Sequence, residues 1–167
     1  MKNKKYSEKI RKVKLVLTDV DGVLTDGGMY YSEKGEALKK FNTLDGMGVE
    51  LLLNNKIKTI FITRENSKIT KSRAKKVRAF QVLSGIKNKE NELIKICKKF
   101  SLKSENIAYI GDDVNDIEIM KKVGFSCAPS DCNNEVKKIA DYVCHVKGGN
   151  GAFREMVDLI LSNNFEK

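Results

Sequence analysis

Residues 13–23 read VKLVLTDVDGV, an apolar run that leads into two acidic residues. Its first five residues form a short apolar run rich in β-branched side chains, which is typical of a strand buried on both faces of a sheet. Two carboxylates, Asp19 and Asp21, follow the run directly. We therefore expect acidic side chains at the edge of a buried sheet.

Strands and helices alternate outward from this stretch. Two more buried strands are predicted, IKTIFIT at residues 57–63 and NIAYIGDD at residues 106–113. The rest of the chain is predicted to contain shorter strands, segments with apolar residues at helical spacing, and a hairpin that turns at Gly35. Helices are predicted over 44–56, 67–80, 89–102, 116–124 and 151–164, shorter strands over 81–85 and 125–130, and a helix followed by a strand over 134–143.

This alternation predicts an α/β fold, a doubly wound, Rossmann-like parallel sheet with helices on both faces. We expect one domain over residues 1–167, with residues 1–11 flexible and a β-hairpin inserted at 27–41. The length of 167 residues suits one domain and is short for two.

Composition excludes several classes of protein. With 41% hydrophobic and 32% charged residues, the chain is neither disordered nor membrane-spanning. The net charge of +10 comes from scattered lysines that are typical of solvated helix faces, and the chain carries no nucleic-acid-binding motif. The cysteines form no CxxC pair and the adjacent Cys144 and His145 complete no zinc site, so we expect reduced thiols in a cytoplasmic protein.

Polar side chains follow all three buried strands. Because ligands of open α/β sheets bind beyond the carboxyl ends of the strands, these residues should meet at one edge although they are far apart in sequence. Carboxylates repel one another unless a cation lies between them, and Mg²⁺ is the hard, oxygen-seeking candidate. The residues concerned are Asp19, Asp21, Thr63, Asp112 and Asp113.

Each of these signals also has a purely structural interpretation. The first acidic pair could be an Asp-rich turn, and Asn115 or Asp116 could cap the helix that begins near residue 117. Thr63 could cap the helix that follows it. Lys89, in so basic a chain, could be a solvated surface charge.

The motifs taken together resemble the haloacid dehalogenase superfamily of phosphatases over residues 12–161. DVDGVLTD is followed by a strand ending in Thr63, then Lys89, then GDDVND. Only 44 positions separate Asp19 from Thr63 and 26 separate Thr63 from Lys89, so neither gap holds a large cap domain. The hairpin after DGVLTDGGMYY, the segment KFNTLDG and the late KGGNGAFRE are similar to the capless 3-deoxy-D-manno-octulosonate (KDO) 8-phosphate phosphatase family, whose relatives act on 9-phosphates of nine-carbon, sialic-acid-like sugars.

The resemblance implies a Mg²⁺-dependent phosphatase that works through an aspartyl-phosphate. Asp19 would be the nucleophile and a metal ligand, and Asp21 the general acid and base, which also binds the metal through its backbone carbonyl. Thr63 and Lys89 would hold the phosphoryl group, and Asp112 would complete the protein ligands to the metal.

The same resemblance implies a small phosphorylated acidic sugar as substrate, with no nucleic acid or membrane as partner. Members of the family form homotetramers, in which the hairpin of one subunit helps to close a neighbour's site. The implied substrate-binding positions are Asn42, Thr43, Asp45, Gly46, Glu65, Arg73, Lys76 and Asp113.

Departures from the family pattern favour a nine-carbon substrate. Arg64 stands where the family has glycine, and Leu44 stands where the KDO branch has arginine, which removes a bidentate grip on a carboxylate. Glu65 and Lys76 are similar to a pair that faces the sugar in the nine-carbon branch. We expect a basic rim of Lys147, Arg154 and Arg73 to attract the anionic substrate.

A phospho-accepting receiver domain is the alternative from another class, since it also combines clustered aspartates, threonine, lysine and Mg²⁺. The order of the motifs disfavours it, because here the second acidic cluster follows Lys89 instead of preceding it. A catalytically silent regulatory subunit is a third alternative, which the intact DVD motif does not support.

Overall fold

The buried run after residue 13 forms the central strand of a parallel sheet in the computed structural model, which describes residues 4–164. Within that range the strands are β1 (Leu15–Thr18), β2 (Tyr30–Ser32), β3 (Gly35–Leu38), β4 (Lys58–Ile62), β5 (Gln81–Leu83), β6 (Ile107–Ile110), β7 (Phe125–Ala128) and β8 (Tyr142–Val143). The helices are α1 (Lys4–Arg11), α2 (Thr43–Asn54), α3 (Lys68–Lys76), α4 (Lys89–Phe100), α5 (Ile117–Met120), α6 (Asn134–Ile139) and α7 (Ala152–Asn164).

Six strands form the sheet in the order β5-β4-β1-β6-β7-β8, and every pairing in it is parallel. Numbered along the chain, these strands stand 3-2-1-4-5-6, the doubly wound order in which the direction of winding reverses beside the first strand. The predicted α/β fold is confirmed. Receiver domains have the order 2-1-3-4-5, so the receiver alternative is wrong.

Side chains of each buried strand alternate between two apolar cores, which explains the continuous apolar runs in the sequence. In β1, Val16 packs toward the face covered by α1, α2 and α7. Leu15 and Leu17 pack toward the opposite face, where α4, α5 and α6 lie. Burial on both faces fixes the register of the central strands, and with it the place where each strand ends.

The hairpin of β2 and β3 stands apart from the sheet. It pairs with itself in antiparallel fashion, and a bridge between Thr25 and Phe41 joins its base. Its strands are solvent-exposed, with Tyr31 63% and Leu38 66% accessible. These strands lie inside the predicted insertion at 27–41.

Two segments differ from the predictions. Residues 4–11 form helix α1, which the sequence pattern did not predict and whose Ile10 is buried in the core. Residues 1–3 lie outside the described range, and the flexibility expected of residues 1–11 stays a prediction. The helix predicted over 116–124 is α-helical only over Ile117–Met120, because the backbone of Gly124 turns away to donate to Ser104 and Ile107. Among the described helices, none has the length and apolarity needed to cross a bilayer.

Candidate active site

Three carboxylates meet at the carboxyl edge of the sheet, beside the strand where the winding reverses. Asp19 follows β1, Asp112 follows the adjacent β6, and Asp116 lies in a short 3₁₀ turn just beyond. One oxygen from each lies within 4.8 Å of the others. The fold therefore brings together two of the predicted metal ligands and adds an aspartate that sequence reasoning had considered only as a helix cap.

Lys89 lies beneath this cluster and is completely buried. Its Nζ lies 2.9 Å from Asp19 Oδ1 and 2.6 Å from Asp116 Oδ1, and it donates to the Tyr109 hydroxyl at 3.1 Å. The Tyr109 hydroxyl in turn donates to Asp116 Oδ1 at 2.6 Å. The surface-charge interpretation of Lys89 is wrong, since the ammonium offsets charge that the chain buries.

Asp116 holds the backbone at the end of β6. Its Oδ2 accepts the N–H groups of Asp112 at 2.9 Å and Asp113 at 3.3 Å. The side chain that caps the 3₁₀ turn is Asp113, which accepts from the Val114 N–H at 2.8 Å. Asp116 therefore positions the backbone of Asp112 and Asp113. In the sequence it is the last acidic residue of the GDDVND motif.

Burial and mutual repulsion raise the pKa values of the two strand-end carboxyls. Desolvation and the charge of Asp116 raise the pKa of Asp19 to about 6, although Lys89 opposes the shift. Desolvation, followed by the charges of Asp19 and Asp116, raises the pKa of Asp112 to about 8. Such clustered carboxyls with raised pKa values are typical of functional sites.

The donor set fits a hard divalent cation. Asp112 Oδ1 is buried and has no hydrogen-bond partner within residues 4–164, so this carboxylate of the acidic cluster has an acceptor left over. Both oxygens of Asp116 are already occupied by Lys89, Tyr109 and backbone N–H groups. Oxygen-only ligands of this kind suit Mg²⁺, and the two carboxylates with capacity left for it are Asp19 and Asp112.

Two glycines allow the carboxylates to approach the backbone this closely. A Cβ atom on Gly22 would lie 2.0 Å from Asp112 Oδ2, and Gly22 also has φ +92°, which L side chains rarely adopt. A Cβ on Gly111 would lie 2.5 Å from the Asp116 carboxylate. The glycines in DVDG and IGDD are thus required by the packing of the acidic cluster.

Asp21 and Thr63 face each other across the edge of the sheet. The Thr63 hydroxyl donates to Asp21 Oδ2 at 3.5 Å and accepts the Glu65 N–H at 3.1 Å. Thr63 is not the helix cap, because Ser67 caps α3. The other oxygen of Asp21, Oδ1, pairs with Lys39 from the end of the hairpin, a contact that no sequence motif indicated.

A cavity of about 530 Å³ opens onto this edge. Sequence reasoning did not single out Lys87, which lies in its wall with Arg64, so that two exposed cations face the acidic cluster. The lining residues are Asp19, Asp21, Thr63, Arg64, Glu65, Gly85, Lys87, Asp112, Asp113 and Asn115.

The remaining predicted substrate-binding residues lie elsewhere in this chain. Asn42, Asp45, Gly46 and Arg73 line a small separate pocket, where the Arg73 guanidinium donates to the Asn42 carbonyl at 2.9 Å. Lys76 and Arg73 line a shallow depression on α3. Thr43 is exposed at the start of α2. The fold thus separates Lys76 from the cavity that Glu65 lines.

The glycine-rich loop at 148–151 packs directly on the turn after Asp21. A Cβ on Gly148 would lie 1.8 Å from the Gly22 carbonyl oxygen. Glu155 of α7 holds the segment that leads into this loop, because its carboxylate accepts the His145 N–H at 3.0 Å and pairs with the His145 ring at 2.7 Å. His145 therefore fixes a loop, while Cys144 is buried in the core.

The haloacid dehalogenase-like hydrolase family matches residues 32–156. The chain therefore belongs to that family of hydrolases, and its similarity over most of its length to phosphatases shows that it is a phosphatase.

Among its relatives is the KDO 8-phosphate phosphatase of Salmonella typhi, which is 39% identical over 153 residues, covering 92% of this chain and 81% of that protein. The cobalt-bound KDO 8-phosphate phosphatase of Haemophilus influenzae superposes with a TM-score of 0.91 at 37% identity, covering 93% of this chain and 91% of its own. The Moraxella catarrhalis enzyme, solved with magnesium, phosphate and KDO, superposes with a TM-score of 0.92 at 32% identity, covering 98% and 93%.

Asp45 generates a prediction about stability and pH. Burial raises its pKa from 3.8 to about 6, against the backbone N–H donors of residues 151, 153 and 154 and the charge of Arg73. Because the folded state then binds more protons than the unfolded state between about pH 4 and 6, this group's contribution to stability is full below pH 4 and is lost as the pH rises through 6. We expect the free energy of unfolding of the wild type, relative to Asp45→Asn, to fall by on the order of 2 kcal/mol from pH 4 to pH 7 in urea titrations.

The exposed carboxylate Asp158 on α7 provides the control. Asp158→Asn should change stability by no more than about 0.5 kcal/mol at either pH. A constant difference between wild type and Asp45→Asn over this range would contradict the prediction.

Proposed function

We propose that this phosphatase hydrolyses KDO 8-phosphate, with Asp19 as the nucleophile and an aspartyl-phosphate as the intermediate. The observation that carries the proposal is the pair of carboxylates, Asp19 and Asp112, at the ends of adjacent strands beside the cavity. The KDO 8-phosphate phosphatases that are similar over most of their length support the choice of sugar.

The metal is proposed to be Mg²⁺, held by the carboxylates of Asp19 and Asp112 and by the backbone carbonyl of Asp21. When bound, it supplies positive charge that offsets the phosphoryl oxygens and the two carboxylates. The Mg²⁺-containing structure of the Moraxella catarrhalis relative supports this assignment.

In the first step a carboxylate oxygen of Asp19 attacks phosphorus, and the bond from phosphorus to the sugar oxygen breaks. Lys89 contacts Asp19 Oδ1 at 2.9 Å, so we assign the attack to the second oxygen, Oδ2. Asp21 gives its proton to the departing sugar alkoxide.

In the second step Asp21 takes a proton from water, and the resulting hydroxide attacks the phosphorus of the aspartyl-phosphate. Inorganic phosphate leaves and the Asp19 carboxylate is restored. Asp21 lines the cavity within reach of Thr63, a position that suits proton transfer in both steps.

Thr63 is placed to hold the phosphoryl group through its hydroxyl at the end of β4. The ammonium of Lys89 contacts Asp19, Asp116 and Tyr109, which accounts for its three N–H donors. We therefore assign Lys89 chiefly to orienting the nucleophile. Arg64, Lys87, Glu65 and Asp113 line the cavity. We assign the two cations to binding the sugar carboxylate and the two carboxylates to accepting from its hydroxyls.

A homotetramer and a cytoplasmic location remain predictions. The exposed hairpin suits contact with a second copy, since Met29, Tyr30 and Tyr31 are all more than 40% accessible. In such an assembly the segment 42–46 and Arg73 could serve a site that they do not line within one chain.

Replacing Asp19 by asparagine should abolish turnover, because the amide is a far weaker nucleophile and a poorer metal ligand. We expect kcat for KDO 8-phosphate to fall by at least about 10³-fold, measured as release of inorganic phosphate, with unchanged circular dichroism. Asp26→Asn, in the turn that follows, is the matched control and should keep turnover near that of the wild type. A purified Asp19→Asn variant with near-normal activity would refute the nucleophile.

Removal of divalent metal should stop the reaction reversibly. We expect no phosphate release after dialysis against EDTA, full recovery with Mg²⁺, and a higher melting temperature in Mg²⁺ because the ion binds the folded state. Asp112→Asn should lose the rise in melting temperature, while Asp113→Asn should keep it. Undiminished turnover in chelator would remove the metal from the proposal.

The choice of sugar is tested by comparing kcat/KM for KDO 8-phosphate with kcat/KM for a nine-carbon, sialic-acid-like 9-phosphate. We expect a higher value for KDO 8-phosphate, in line with the relatives. The opposite ranking would favour the nine-carbon branch that Leu44, Glu65 and Lys76 predict from sequence, and would leave the phosphatase assignment in place.

A further inference from the structure

Lys39, at the end of the hairpin, extends its side chain to Asp21 in the active site. While β2 and the end of β3 are exposed, the side chain of Lys39, which follows them, is 1% accessible. Its Nζ donates to Asp21 Oδ1 and lies 2.9 Å from Glu36 Oε1. Burying an ammonium between two carboxylates in an otherwise solvated hairpin indicates a specific role.

A chain of hydrogen bonds braces Lys39 from the other side of the cavity. Glu36 Oε2 accepts from the Ser67 hydroxyl. Ser67 is buried at the N-terminus of α3, where its side chain accepts the Thr70 N–H at 3.3 Å. The helix, the hairpin and Asp21 are thus joined through three side-chain contacts, from Ser67 to Glu36, from Glu36 to Lys39 and from Lys39 to Asp21.

This bracing leaves the two oxygens of Asp21 in different environments. Oδ1 is engaged by Lys39, whereas Oδ2 has a long contact of 3.5 Å to the Thr63 hydroxyl. Asp21 keeps 22% of its side chain accessible and lines the cavity. Oδ2 is therefore the oxygen that is available to a reacting group.

We propose that Lys39 is a positioning residue that holds the Asp21 carboxyl so that Oδ2 exchanges the proton with the leaving sugar oxygen. The inference rests on the proposed function. In this scheme the proton on Oδ2 moves to the sugar alkoxide as the phosphorus–oxygen bond breaks, and Oδ2 takes a proton from water in the second step. Lys39 keeps its protons throughout and stays bound to Oδ1.

A direct role for Lys39 in binding the anionic substrate fits the contacts less well. Its ammonium already contacts Asp21 and Glu36, and because Glu36 alone offsets its charge, the three groups carry no net positive charge even when Asp21 is protonated. The cations that face the cavity without a carboxylate partner among the described residues are Arg64 and Lys87.

The test compares two esters that differ in their need for a proton on the leaving group. KDO 8-phosphate expels an alkoxide, which must be protonated, whereas p-nitrophenyl phosphate expels a phenolate that is stable without a proton. Because kcat/KM reports the steps up to departure of the first product, it includes the proton transfer to the sugar oxygen of KDO 8-phosphate and excludes the later hydrolysis of the aspartyl-phosphate for both esters.

For Lys39→Met we expect kcat/KM for KDO 8-phosphate to fall at least about tenfold, and kcat/KM for p-nitrophenyl phosphate to change less than about twofold. Lys39→Arg, which keeps a donor to Oδ1, should recover part of the loss. Lys40→Met is the matched control, because the neighbouring Lys40 is 60% accessible and contacts Asp26 at 3.4 Å; it should leave both values unchanged.

Glu36→Gln supplies a second variant that does not depend on folding of Lys39→Met, and it should give a smaller loss with the same selectivity for the alkyl ester. Equal losses on both esters, or no loss on either, in both variants would overturn the inference while the phosphatase stands. A wild type that hydrolyses p-nitrophenyl phosphate but not KDO 8-phosphate would contradict the proposed substrate instead, and the comparison would then use the primary alkyl phosphate that the enzyme hydrolyses.

Discussion

The central constraint on this structure is the repulsion among three carboxylates, which the fold holds together at one edge of a buried sheet. Asp19, Asp112 and Asp116 stand within 4.8 Å of one another, and the chain offers Lys89 beneath them as a partial counter-charge. The geometry is stable because two of the three groups are held by neighbours: Asp116 by two backbone N–H groups, Lys89 and Tyr109, and Asp19 by Lys89. One buried oxygen of Asp112 has no hydrogen-bond partner among the described residues. A bound divalent cation would be its partner.

The parallel sheet is what brings these carboxylates together at one active site. Because β1 pairs with both β4 and β6 in parallel register, the residues that follow these strands emerge side by side. Two cores, one on each face, hold the strands too firmly for the carboxylates to move apart. Packing energy from the apolar interior thereby maintains an arrangement of charges that would be unfavourable in a flexible loop.

The sequence predicts the features that depend on local pattern. Buried strands follow from apolar β-branched runs, and the meeting of Asp19 with Asp112 follows from the rule that parallel strands end at a common edge. Other features depend on tertiary contacts that leave no pattern. Tyr109 is one residue in an apolar strand until its hydroxyl meets Asp116, and Lys39 is one lysine among many until the hairpin folds back on Asp21.

The substrate-binding role that the sequence predicts for the segment at 42–46 stays a prediction. A resemblance of motifs places it at the substrate, whereas the contacts of this chain place Asp45 against the start of α7 and Arg73 against Asn42. Helix α1 was missed because its basic, polar residues are typical of a solvated tail, and its docking depends on the buried Ile10.

The contact between Gly22 and Asp112 has a consequence for how the enzyme can be damaged. Any side chain at position 22 would press on the Asp112 carboxylate and on a left-handed backbone turn at the same time. A methyl group there would deform the acidic cluster without altering a single charge or any group that takes part in the reaction. Substitutions at this uncharged position should therefore inactivate the enzyme, as substitutions of the aspartates should. A protein inactivated at position 22 by an uncharged residue would still keep every ionisable group of the active one.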